Sequence, residues 1–197
     1  MLNKPERNSL SPNSGETTSH STKPASGQVA GDLPEGERDA GSLCEIKLDH
    51  AWIRAHIPHQ GSMCLLDAVT EWDAAHIVCR ANSHRAPENP LRANGQLSAV
   101  CGIEYAAQAM AVHGALLASP DDPVARVGYL VSVRGTRLHV LRLDDIADDL
   151  IIEATSVTRS ANNILYQFSL RAAGQILLTG RAAVVVNADL IGSGSPT

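Results

Sequence analysis

Apolar positions fall along this chain in two kinds of run. Between Ser98 and Ala118 the sequence SAVCGIEYAAQAMAVHGALLA is apolar almost throughout and rich in Ala. Such a run is too long for a strand and predicts one helix buried on most of its faces. After it the pattern turns to β. RVGYLVSVRGTRLHVLRL (126–143), DLIIEATSVTR (149–159), NILYQFSLRAA (163–173) and QILLTGRAAVVVNA (175–188) are β-branched and partly alternating. Short turns at Ser160–Asn162 and Gly174 divide them. Ahead of the long helix, MCLLDAVTEW (63–72) and HIVCRANSH (76–84) read as strands about a turn at Asp73–Ala75. RAPENPLRANGQ reads as a loop. DHAWIRAHI is a short helix capped by Asp49 and stopped at Pro58.

The order is short helix, two strands, long helix, four antiparallel strands. It predicts an α+β hotdog fold, a curved antiparallel sheet wrapped around one long central helix. A helix apolar on nearly every face needs cover from the sheet on one side and from a partner subunit on the other. A homodimer, or a heterodimer with another hotdog subunit, is therefore expected. Residues 1–43 are rich in Ser, Pro and Gly and lack aromatics, which predicts a disordered N-terminal extension. The hotdog domain is expected over 44–190, with a flexible tail at 191–197.

Composition narrows the function classes. The net charge is −5 and aromatics make up 3% of the chain. Neither a polyanion partner nor a base-stacking platform is expected, so nucleic acid is excluded. Glu104, Gln108 and His113 within the long apolar run favour a core helix over a membrane span. No N-terminal apolar segment of signal-peptide type is present, which points to a cytoplasmic protein. Cys44, Cys64, Cys79 and Cys101 fall singly, and with the scattered histidines they form no zinc pattern. No metal or cofactor is expected.

The candidate chemistry starts at Glu104, the one charged residue of the apolar run. Burying an ionised carboxylate costs several kcal/mol unless it is paired. Burial also raises a carboxyl pKa, so Glu104 is expected to be a proton donor near neutral pH. Gln108, one turn on along the same face, is placed to orient that carboxyl, to bind substrate, or to sit satisfied in the core.

Three segments carry a family resemblance. IPHQGSMCLLDAV (57–69) resembles the LPHRxPFLLVDRV opening of β-hydroxyacyl-acyl-carrier-protein dehydratases, and IEYAAQAM (103–110) resembles their central-helix motif LEAMAQA. With NPLR (89–92) and CGIEYAAQAMAVHG (101–114), the chain is most similar to ApeP-like 3-hydroxyacyl-carrier-protein dehydratases, over about residues 48 to 187. The broader family carries its catalytic histidine in an HFPGxPxMPG loop ahead of the helix. Here the corresponding position is Pro90, and NPLRANGQLSA contains no histidine.

The resemblance implies dehydration of a 3-hydroxyacyl chain on an acyl carrier protein to the trans-2-enoyl thioester, in fatty-acid or aryl-polyene-type biosynthesis. That reaction needs a base for the α-proton, an acid for the leaving hydroxyl and donors to the thioester oxygen. Glu104 carries over as the acid. The base is His59, in the Pro58–Gly61 turn, or His84, at the end of the second strand. Backbone around Cys101–Gly102 is a candidate thioester contact, although Gly102 also suits close helix–strand packing and Cys101 a small core position. Asn89 is a further candidate substrate contact. His113 lies on another face and reads as core or interface. Arg85, Arg92, Arg134, Arg137 and Arg142 form a candidate docking face for an acidic carrier protein. Two other readings stay open: a hotdog thioesterase, in which the carboxylate activates water, and a non-catalytic subunit of a dehydratase complex.

Overall fold

A computed structural model describes residues 48–118, 128–160 and 162–186. The expected N-terminal extension and C-terminal tail lie outside these residues.

Helix α1 (His50–His56) starts where Asp49 accepts a hydrogen bond from the Trp52 N–H at 3.1 Å. It ends at Ile57, extended as the residue before a proline must be. A 3₁₀ turn at Gly61–Met63 follows, and β1 (Ala68–Trp72) begins later than the apolar run suggested. The reason is that the Met63 carbonyl and the Leu65 N–H bond the side chain of Gln108 rather than a neighbouring strand. The β1–β2 turn is held by the Asp73 carboxylate, which accepts from Ala75 and His76 N–H groups. Strand β2 (His76–Ala81) stops short of His84 because Ser83–Arg85 winds a 3₁₀ turn.

The central helix α2 (Gly102–Leu116) follows a 3₁₀ turn at Ala99–Cys101. Strands β3 (Gly128–Leu138), β4 (Leu150–Arg159), β5 (Asn163–Ala172) and β6 (Gln175–Val186) complete a six-stranded antiparallel sheet in the order β1-β2-β4-β5-β6-β3. Strand β3 ends before the expected 143. Leu141 and Leu143 instead exchange backbone bonds with Ala99 and Leu97, tying this segment to the start of α2.

The sheet curves around α2, as a hotdog fold does. Its inner face presents buried Ile152, Ala154, Tyr166, Phe168, Leu170, Leu178 and Ala182 to the helix. Gly102 lets the two approach closely: a Cβ there would sit 2.7 Å from Leu170 Cδ2 and 3.0 Å from Leu178 Cδ2. Opposite faces of the sheet alternate cleanly in β5, where Ile164, Tyr166, Phe168 and Leu170 are buried between exposed or half-buried neighbours. The two sheet edges are β1 and β3, and the latter exposes Tyr129, Leu130, Val131 and Leu138.

Candidate active site

The first turn of α2 and the turn after α1 bring Glu104 and His59 together. His59 Nε2 lies 3.1 Å from Glu104 Oε1, with the two side chains 27% and 30% exposed. Gln108 Nε2 donates to the same oxygen at 2.9 Å and to the Met63 carbonyl at 2.8 Å, and Gln108 Oε1 accepts from Leu65 N–H at 2.9 Å. A fully buried amide therefore locks the helix to the chain segment that follows His59. Its orientation leaves Nε2, a donor, facing the carboxylate.

Glu104 departs from expectation in its charge state. Its carboxyl is held below the ordinary range, first by the His59 hydrogen bond and also by Gln108, and these outweigh the upward pull of burial. The side chain is half-buried rather than sealed, so desolvation is incomplete. At neutral pH Glu104 is a carboxylate, not the resting proton donor inferred from burial. Two donors converge on Oε1, while Oε2 has no protein partner among the described residues. Facing a carboxylate, His59 Nε2 carries a ring proton, and Nδ1 is buried with no partner among the described residues.

The structure sets His84 elsewhere. Its ring is fully buried and Nε2 bonds the Ile146 carbonyl at 3.1 Å, with burial pushing its pKa down. It fastens the 143–149 segment and makes no contact with Glu104. The Cys101–Gly102 backbone is also committed. Cys101 N–H bonds the Ser98 carbonyl, and Gly102 N–H closes onto Ala99 and Val100 carbonyls. Neither is free to receive a thioester oxygen, and the Leu170–Leu178 contact accounts for the glycine. Burial pushes the Cys101 thiol up, so it is not a resting thiolate.

Asn89 is engaged on every side: Nδ2 donates to the Tyr105 hydroxyl at 3.0 Å and the Ser83 carbonyl at 2.9 Å, and Oδ1 accepts from Leu91 N–H. With Ser83 it lines a cavity of about 210 Å³ that also meets His50, Gly61 and Cys64. Neither His59 nor Glu104 lines that cavity. Tyr105, buried beside Glu104 and bonded to Ser83 at 2.9 Å, was not singled out from the sequence. A phenol in an otherwise aliphatic helix was the available signal, since a buried hydroxyl requires partners.

His113 is core: Nδ1 meets the Tyr166 hydroxyl and Nε2 donates to the Asp73 carbonyl, both at 2.9 Å. The expected arginine face is divided. Arg92 and Arg142 grip Asp144, whose carboxyl the Arg142 guanidinium first and the Leu97 N–H next drive far down, and Arg80 and Arg85 grip Asp149 at 2.8 Å each. Arg134 and Arg137 alone of the five make no ion pair among the described residues. No group of three or more His, Cys, Asp and Glu among those residues is placed to hold a metal ion, and no helix among them is long and apolar enough to cross a membrane.

The family model described as ApeP-like, ApeP dehydratase, matches residues 51–192. The chain belongs to the ApeP-like dehydratase family. That family is one of dehydratases, which supports activity of lyase type. Comparison with curated protein sequences finds no match. Among solved structures, the dehydratase heterocomplex ApeI:P from Xenorhabdus doucetiae is similar at 20% identity and TM-score 0.63, covering 72% of this chain and 97% of that one. This likeness shows the hotdog fold. A thioesterase from Haemophilus influenzae is 11% identical at TM-score 0.46, covering 61% of this chain and 77% of that one.

Proposed function

We propose that this ApeP-like dehydratase removes water from a 3-hydroxyacyl thioester carried on an acyl carrier protein, with Glu104 as the catalytic residue. The observation that carries the reading is the Glu104 carboxylate, anchored through Oε1 by His59 and Gln108 and open at Oε2. Oε2 takes the α-proton, and the electron pair left on Cα passes into the thioester as enolate character. As that pair returns to form the Cα–Cβ double bond, the same carboxyl gives its proton to the departing 3-hydroxyl, and water leaves. His59 acts as a positioning residue, holding the carboxylate and keeping it ionised between turnovers. The roles thus differ from a resting Glu104 acid paired with a histidine base.

The exposed β3 edge and its apolar side chains support a second hotdog subunit, another copy or a related chain, as the cover for this side of the molecule. The solved neighbour is itself described as a heterocomplex. One observation also favours a thioesterase: an ionised carboxylate with a free oxygen is suited to activate water. A single assay separates the two. Purified protein is incubated with 3-hydroxyacyl carrier protein and the acyl mass is followed. Loss of water supports dehydration; free acid and a bare thiol support hydrolysis and overturn it.

A further inference from the structure

The outer face of the sheet near its β3 edge carries a feature that folding alone disfavours. Arg134 in β3 is the direct register partner of Arg181 in β6. Like charges directly opposite in an antiparallel pair repel. Arg181 lies between buried Gly180 and Ala182 and is exposed, so this pair faces outward, away from α2.

A bulge adds a third guanidinium. Arg134 pairs with Arg181 and Arg137 with Thr179, so three steps along β3 match two along β6. Strict alternation would send Arg134 and Arg137 to opposite faces. The extra residue, with Gly135 at φ +62°, returns both to the outer face. None of the three makes an ion pair among the described residues, whereas Arg80, Arg85, Arg92 and Arg142 are all held by aspartates. The acid in the same row is Glu153, whose register runs through Ser169 and Thr179 to Arg137. It is three strands off, roughly 14 Å at about 4.8 Å per strand, and is engaged by His76.

The patch lies across the sheet from α2. Leu138, next to Arg137, pairs with Leu178, against which Gly102 packs, so Leu138 takes the inner face and Arg137 the outer one. Exposed Ile176, the register partner of outward-facing Arg171, lies on the same outer face. Arginine beside exposed aliphatic surface is the composition of a protein interface more than of a site for free phosphate.

We infer that Arg134, Arg137 and Arg181 form a docking surface for an acidic protein. The identity of that protein as the acyl carrier rests on the function proposed above. The test measures binding of a labelled acyl carrier protein to wild type and to Arg134→Glu, and turnover of carrier-bound substrate against a short synthetic thioester without carrier. Arg134→Glu folds, because it replaces a repulsive cross-strand pair with an attractive one. The expected result is salt-sensitive binding weakened at least tenfold, with KM raised for carrier-bound substrate, kcat unchanged and the short thioester unaffected. Unchanged binding overturns the docking surface, as does an equal loss on both substrates. Equal competition from an oligonucleotide of matched charge overturns the acidic-protein assignment. Charge-dependent binding by a wild type that dehydrates neither substrate leaves the docking surface standing and removes the function proposed above.

Discussion

The two ends of α2 carry the same kind of group and treat it in opposite ways. Near the C-terminal end, His113 is fully buried, and both ring nitrogens are satisfied by Tyr166 and Asp73. It joins the helix to β5 and to the β1–β2 turn and leaves nothing over. Near the N-terminal end, Glu104 and His59 are each about one-quarter to one-third exposed, and the pair is left incomplete, with Oε2 unpartnered among the described residues. A buried polar group is thus a poor guide to chemistry by itself. What separates a site from a staple is hydrogen-bonding capacity left unused where a ligand can reach it.

The largest test of this contrast is at the open end. Glu104→Gln keeps the shape and the Gln108 contact but removes the basic oxygen. Turnover measured by acyl mass is expected to fall about 10³- to 10⁴-fold, with little change in melting temperature. Full activity in this variant would remove Glu104 from the chemistry. His59→Ala is expected to cost less, about 10²-fold, since it loosens the carboxylate without deleting it. Burial of Glu104 then stands less opposed, so the acidic limb of the pH–rate profile moves to higher pH. Abolition of activity with no such movement would make His59 the base instead.

The closed end is expected to respond in stability alone. His113→Leu strips a partner from the Tyr166 hydroxyl and another from the Asp73 carbonyl, a loss of about 1–3 kcal/mol by denaturant melt with catalytic constants preserved. Gly102→Ala is expected to cost a similar 1–3 kcal/mol by overpacking Leu170 and Leu178, although alanine is the better helix former by about 1 kcal/mol.

The smallest effect is pH-dependent. Burial holds the His113 and His84 pKa values below the imidazole norm, so the folded state binds fewer protons than the unfolded one. Their contribution is present above about pH 6.5 and is lost as pH falls from there toward their lowered values. Glu104, also depressed, acts with the same sign but only below the ordinary carboxylate range. Acidification from pH 7 to 5.5 is therefore expected to lower the melting temperature of wild type more than that of His113→Leu. Equal slopes would show that His113 is not held neutral.

Much of the architecture was legible along the chain because it rests on local pattern. Apolar periodicity placed α2 and the four long strands, and Asp49 capped α1 as its position before DHAWIRAHI implied. The errors lie where distant groups took over. β1 starts late because Gln108, far along the chain, takes the backbone bonds of Met63 and Leu65. Arg85, Arg92 and Arg142 are ion-paired because Asp144 and Asp149 fold against them, which spacing along the chain does not reveal.

For the site, sequence alone singled out the candidate carboxylate. Glu104 is the one charge in an apolar helix, and the cost of desolvating a charge makes such a residue informative without coordinates. Choosing its partner between His59 and His84 depended on where two turns come to rest against α2, and only the folded chain places His59 at 3.1 Å. The charge state of Glu104 was likewise beyond the sequence. Desolvation can be guessed from neighbours along the helix, but the opposing hydrogen bond comes from another element, and its strength depends on a distance that only tertiary structure sets.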